Sequence, residues 1–193
     1  LICFGHDGQF RWQTELGDLL IGWGAPAIAN IDGSGPAEVI LGAAVFNADG
    51  SLRWRKAGAR GENYEPPSSA RAPFSVPADV NNDGFLEIVT GDTLYDHEGN
   101  VIWDTGYGDG FVAVADFNGG DTPEIVVVAR GTVRLQSSTT GNISWLRDEV
   151  FLNDLEACDP TCGMLGPPTV ADFDGDGSPD IGVAGSGVYI VLN

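Results

Sequence analysis

Short apolar runs recur along the chain, separated by stretches of aspartate, asparagine and glycine. One order of elements returns four times. An apolar stretch (Ala27-Ile28-Ala29, Val76-Pro77-Ala78, Val112–Ala115, Val170-Ala171) leads into a polar loop. A β-branched run follows: Val39-Ile40-Leu41, Ile88-Val89-Thr90, Ile125–Val128 and Ile181-Gly182-Val183. Runs this short, bounded by turn formers, read as strands, and no window carries the spacing of a long amphipathic helix. A second punctuation is a glycine turn, at His6-Asp7-Gly8, Ala48-Asp49-Gly50, His97-Glu98-Gly99 and Thr139-Thr140-Gly141. Glycine supplies the positive φ that such hairpins need. Four residues after each of these glycines stands a tryptophan: Trp12, Trp54, Trp103 and Trp145. The repetition favours a packing residue between sheets over a carbohydrate platform, because a ligand site rarely needs every copy.

Each unit thus reads as strand A, acidic loop, strand B, strand C, glycine turn and strand D with its tryptophan. The units run roughly over 24–56, 73–105, 110–147 and 166–193. The last stops at strand C, Val188–Leu192, and residues 1–14 supply a C–D hairpin with strands Leu1–Phe4 and Gln9–Gln13. Four-stranded antiparallel units at a repeat of roughly forty residues suggest an all-β fold, a β-propeller with about four blades in one domain over 1–193. Gln9–Gln13 is expected to complete the last blade within the chain or to pair with a neighbouring copy, in self-assembly through terminal strands. The plainer alternative is a piece of a longer repeat array, and a start at Leu1 without methionine suggests a mature product or an excised piece. Gly58–Ser69 and the insertion Arg147–Gly166 are too polar and broken for a core and are expected on the surface.

The acidic loops carry the chemistry. In the fourth, carboxylates stand at positions 1, 3, 5 and 9 (Asp172, Asp174, Asp176, Asp180), with Gly177 at position 6. That layout resembles the calcium-binding half of an EF-hand loop, in which alternate side chains face one hard cation. Four acids this close repel one another unless a cation offsets them. The flanks read as strands, so an EF-hand proper is not expected. The other copies keep the register: Asn30, Asp32, Ser34 and Glu38; Asp79, Asn81, Asp83 and Glu87; and Asp116, Asn118, Gly120 and Glu124. The first copy uses two neutral oxygen donors. The third has Gly120 at position 5 and Asp121 where glycine is expected, which weakens its case for a metal.

Val170-Ala171-Asp172-Phe173-Asp174-Gly175-Asp176-Gly177-Ser178-Pro179-Asp180-Ile181 and Ala115-Asp116-Phe117-Asn118-Gly119 resemble FG-GAP (VCBS-type) repeats. Such repeats build the calcium-binding propeller of integrin α-subunits and of many secreted bacterial proteins. The resemblance covers nearly the whole chain outside the two inter-unit loops. It implies calcium ligation by Asp172, Asp174, Asp176 and Asp180, and by Asp79, Asn81, Asp83 and Glu87, with two to four structural Ca²⁺ ions in all. Integrin propellers have seven blades and this chain has four units, so integrin-like ligand recognition does not follow.

A formal charge of −19 argues against nucleic acid and anionic membrane surfaces as partners. No stretch is apolar for long enough to span a bilayer, and no signal peptide is recognisable. Cys158 and Cys162 enclose only Asp-Pro-Thr; a disulfide is the preferred reading, with zinc the rival. Cys3 is left as a buried thiol or an interchain link. Asn142-Ile143-Ser144 is a glycosylation acceptor in a eukaryotic source. These features point to an extracellular, calcium-stabilised module without catalysis, acting in adhesion, protein–protein interaction or self-assembly at a cell surface or matrix. The first alternative is a lectin, for which Trp23, the one tryptophan off the repeat, is the candidate platform, its other reading being burial under a loop. A polysaccharide-active enzyme is the third reading, and the sequence holds no nucleophile elbow, zinc-protease helix or isolated carboxylate pair to support it.

Overall fold

The structure, a computed structural model, describes residues 1–16, 24–57, 61, 73–129, 131–148, 166–185 and 188–193. Among these the chain is all strand and turn. It forms five small antiparallel sheets, met one after another along the sequence. The first is the hairpin of β1 (Ile2–Phe4) and β2 (Phe10–Gln13). The second runs in order β3 (Ala27–Ala29), β4 (Glu38–Ile40), β5 (Ala44–Phe46) and β6 (Leu52–Arg55). The third runs β7 (Val76–Ala78), β8 (Glu87–Val89), β9 (Thr93–Tyr95) and β10 (Val101–Asp104). The fourth holds β11 (Phe111–Ala115), β12 (Glu124–Ala129), β13 (Thr132–Ser137) and β14 (Ile143–Arg147), and the fifth β15 (Thr169–Ala171), β16 (Asp180–Gly185) and β17 (Val188–Leu192).

Alternation of side chains along a strand explains how these sheets stack. Successive residues point to opposite faces, so a strand buried on both sides serves two cores. In β12 every residue is buried. Val126 and Val128 pack with Ile181 and Val183 of the fifth sheet. Ile125 and Val127 pack with Val80, Val89 and Leu94 on the side of the third. The third sheet divides likewise: Ile88 and Tyr95 join Ile31, Ile40 and Val45 of the second. Each core therefore lies between consecutive sheets. Their first strands also touch in succession, β3 with β7, β7 with β11 and β11 with β15. Neighbouring acidic loops are thereby brought together, and Leu86 N–H donates across to Ile31 O at 2.9 Å.

The opposite edges are joined by the repeated tryptophans. Trp12 Nε1–H donates to Ala48 O (2.8 Å), Trp54 to His97 O (3.0 Å) and Trp103 to Ser138 O (2.7 Å), each in the glycine turn of the following sheet. The turn glycines Gly50, Gly99 and Gly141 have positive φ, and a Cβ would also collide with the Trp12 ring at Gly50, the Trp54 ring at Gly99 and the Thr105 side chain at Gly141. Glycine is required there twice over, for the turn and for the close approach. Trp103→Phe keeps most of the apolar contact and removes the hydrogen bond; it should cost about 1 kcal/mol, read as a modest fall in melting temperature.

A polar joint locks the third sheet to the fourth. Asp109 Oδ1 accepts the backbone N–H groups of Gly61 (3.0 Å), Gly91 (2.9 Å) and Gly110 (2.9 Å). Arg134, buried on β13, donates to Gly91 O and Gly108 O at 2.6 Å each and to Gln136 Oε1 at 3.0 Å. Burial lowers the Arg134 pKa, and the charges of Asp92 and Asp109 work against that shift.

Among the described residues strand β2 pairs with β1, and β17 pairs with β16 as the edge of a three-stranded sheet. Leu1 and Leu16 pack against Leu41, Ala44 and Phe46, and with the Trp12 bond this seats the hairpin on the second sheet.

Candidate metal centre

All four acidic loops connect the first two strands of a sheet, and they share one internal bond. The position-9 carboxylate opens the second strand and points back into the loop. One of its oxygens accepts the backbone N–H of position 2: Ile31 from Glu38 (3.0 Å), Val80 from Glu87 (2.9 Å), Phe117 from Glu124 (2.9 Å) and Phe173 from Asp180 (2.8 Å). All four carboxylates are buried. A buried carboxylate needs partners for both oxygens, and the second oxygen is where the loops diverge.

In the first loop Glu38 Oε1 meets Arg53 Nη1 at 2.9 Å, and the other guanidinium nitrogen meets Asp32 Oδ2 at 2.7 Å. The Ser34 hydroxyl, and after it the Arg53 guanidinium, hold the Asp32 carboxyl down at about 2. Asn30 donates to Gly35 O (3.1 Å), and its own Oδ1 is buried without a partner. In the second loop Asn81 Nδ2 donates to Glu87 Oε1 (3.0 Å) and to Asp83 Oδ2 (3.1 Å). Burial raises the Glu87 pKa; the Val80 N–H offsets part of this, and the charges of Asp83 and Asp79 add to it. In the third loop Asn118 Nδ2 donates to Glu124 Oε1, while Asp116 caps the N–H groups of Gly119 (2.7 Å) and Gly120 (3.2 Å).

The fourth loop is different. Asp180 Oδ1 is buried and has no hydrogen-bond partner. Asp172, Asp174 and Asp176 each present a carboxylate oxygen, all within 4.8 Å of one another, the one such cluster of potential metal ligands among the described residues. Backbone amides prearrange them: Gly175 N–H (2.6 Å) and Gly177 N–H (3.0 Å) bind Asp172, Asp176 N–H binds Asp174 (3.1 Å), and Ser178 N–H binds Asp176 (2.7 Å). Among the described residues the one side-chain donor on the cluster is Asn193 Nδ2, to Asp174 Oδ2 at 2.6 Å. Oxygen-only donors, all anionic, suit a hard divalent cation, and the residues could hold one. Phe173 and Tyr189 stand beside the loop, edge to face at 6.2 Å, both exposed.

Two contributors escaped the sequence reading. Position 4 of every loop, Gly33, Asn82, Gly119 and Gly175, has positive φ, and in the first, second and fourth loops position 6 (Gly35, Gly84, Gly177) shares the sharp turn with it. Three glycines and an asparagine at one register were the available signal. Arg53 was the other; it directly precedes Trp54 on strand D, where the other loop-bearing units have Ile102 and Ser144. Asn142 is exposed after its turn. The Cys3 thiol is free and half-buried, its Sγ 3.8 Å from Phe4 O. Trp23, Cys158 and Cys162 lie outside the described residues.

No protein-family model matches the chain, and no curated protein matches it by sequence. Solved structures do resemble it in fold. The V. cholerae biofilm matrix protein Bap1 superposes with a TM-score of 0.60 at 23% identity, over 75% of this chain and 24% of its own. Rhamnogalacturonan lyase YesW superposes with a TM-score of 0.58 at 19% identity, over 93% of this chain and 34% of its own. The chain thus spans about a quarter to a third of the length of these neighbours, and the likeness is one of fold.

Proposed function

We propose that this chain is a calcium-binding β-propeller module of the FG-GAP type, extracellular and without catalysis, that serves adhesion or matrix assembly. The observation that carries the reading is the fourth loop, where Asp180 keeps a buried, unpartnered oxygen beside the Asp172, Asp174 and Asp176 cluster. One Ca²⁺ would be ligated by all four residues, offset half of their charge and tie β15 to β16. The second loop is the next candidate, once the Asn81 amide turns its oxygen inward. The stacked sheets, linked at both edges, support the blade reading, and the fold of a biofilm matrix protein supports a matrix setting. Catalysis is not assigned, because the clustered acids are those this reading gives to a cation.

Phe173 and Tyr189 favour one second reading, a calcium-dependent glycan site at the fourth loop. Calorimetric titration of the chelated chain with CaCl₂ tests the first reading: saturable binding supports it, and no heat of binding up to millimolar calcium refutes it. A glycan array probed with and without calcium tests the second, which predicts signal in calcium alone.

A further inference from the structure

We infer that Arg53 is the built-in cation of the first loop, standing where the other loops require a mobile ion or a neutral donor. The inference rests on the calcium reading only for its contrast with the fourth loop. Arg53 reaches from β6 across the sheet and binds position 3 (Asp32, 2.7 Å) and position 9 (Glu38, 2.9 Å) through separate guanidinium nitrogens. These are two of the residues that face the ion in a loop of this register, and the bond to Glu38 uses the oxygen left over after the Ile31 N–H is satisfied. In the second and third loops that oxygen takes an asparagine amide hydrogen, and in the fourth it has no partner. The guanidinium is always charged and forks to two acceptors, so it bridges the two carboxylates and offsets half of their charge without a bound ion. Ile102 and Ser144, at the equivalent place in the next two units, cannot do this.

The consequence is a division of the repeat array. The first loop is held closed whatever the calcium concentration, and calcium regulates the opposite end.

The test compares the wild type with Arg53→Gln, each stripped with chelator and titrated with CaCl₂. Arg53→Gln is expected to bind one more ion per chain than the wild type. An unchanged stoichiometry in the folded variant overturns the inference. If the variant unfolds in chelator, refolding in millimolar calcium supports the inference, because the ion then replaces the guanidinium, and failure to refold overturns it. A wild type that binds no calcium, beside a variant that binds one ion, refutes the proposed function and leaves this inference standing. Hydrogen exchange on the wild type gives an independent reading. Protection of the Ile31 amide should be the same in calcium and in chelator, and a calcium-dependent gain at Ile31 overturns the assignment.

Discussion

Replacing Asp174 and Asp176 together by alanine is expected to abolish most of the thermal response of the chain to calcium. These are positions 3 and 5 of the loop whose position-9 oxygen is buried and unpartnered. A ligand that binds only the folded state stabilises it by about 2.7 kcal/mol at a hundred times its Kd. For a chain of this length each kcal/mol moves the midpoint by ~2–4 °C, so calcium should raise the wild-type melting temperature by roughly 5–10 °C. The double variant should melt at nearly one temperature in calcium and in chelator. It should also match or exceed the wild type in chelator, because two mutually repelling carboxylates have been removed. A full calcium response retained by the variant would place the ion elsewhere.

Asp109→Ala should be the most damaging substitution outside the apolar cores. It removes the one acceptor shared by Gly61, Gly91 and Gly110, whose N–H groups lie at 2.9–3.0 Å from Oδ1. It also strips a compensating charge from the buried Arg134. Orphaned buried donors cost about 1–3 kcal/mol each, and some will recover water, so a total of ~3–5 kcal/mol is expected. In thermal melting this is a drop of roughly 6–20 °C. Asp109→Asn is the informative control: its amide oxygen can still accept all three N–H groups, so it should recover more than half of the loss. Equal damage from both would assign the effect to charge alone.

Much of the molecule was legible before any coordinates, and the reason is repetition. The strand pattern, the glycine turns and the register of the acidic loops are local features, written four times with small variations. The tryptophans were readable as packing residues for the same reason, although the carbonyls they bind, at Ala48, His97 and Ser138, were not. What escaped are contacts between residues far apart in sequence. Nothing local distinguishes Arg53 from Arg11, which stands at the same place in the first hairpin and, among the described residues, pairs with its neighbour Asp7. The joint of Asp109 with Arg134 likewise requires two sheets to meet before either residue has a role. Composition ranked the four loops by the number of their acids. The structure ranks them by the partner of one carboxylate oxygen, which is a sharper criterion.

The most direct measurement is a crystal structure of the chain grown in calcium, with anomalous data collected at long wavelength. An anomalous peak is expected, ringed by Asp172, Asp174, Asp176 and Asp180 oxygens at about 2.3–2.6 Å, the range for calcium. Arg53, and no such peak, is expected between Asp32 and Glu38. A fourth loop without a peak at saturating calcium, its Asp180 oxygen satisfied by water or by the chain, would contradict the calcium reading.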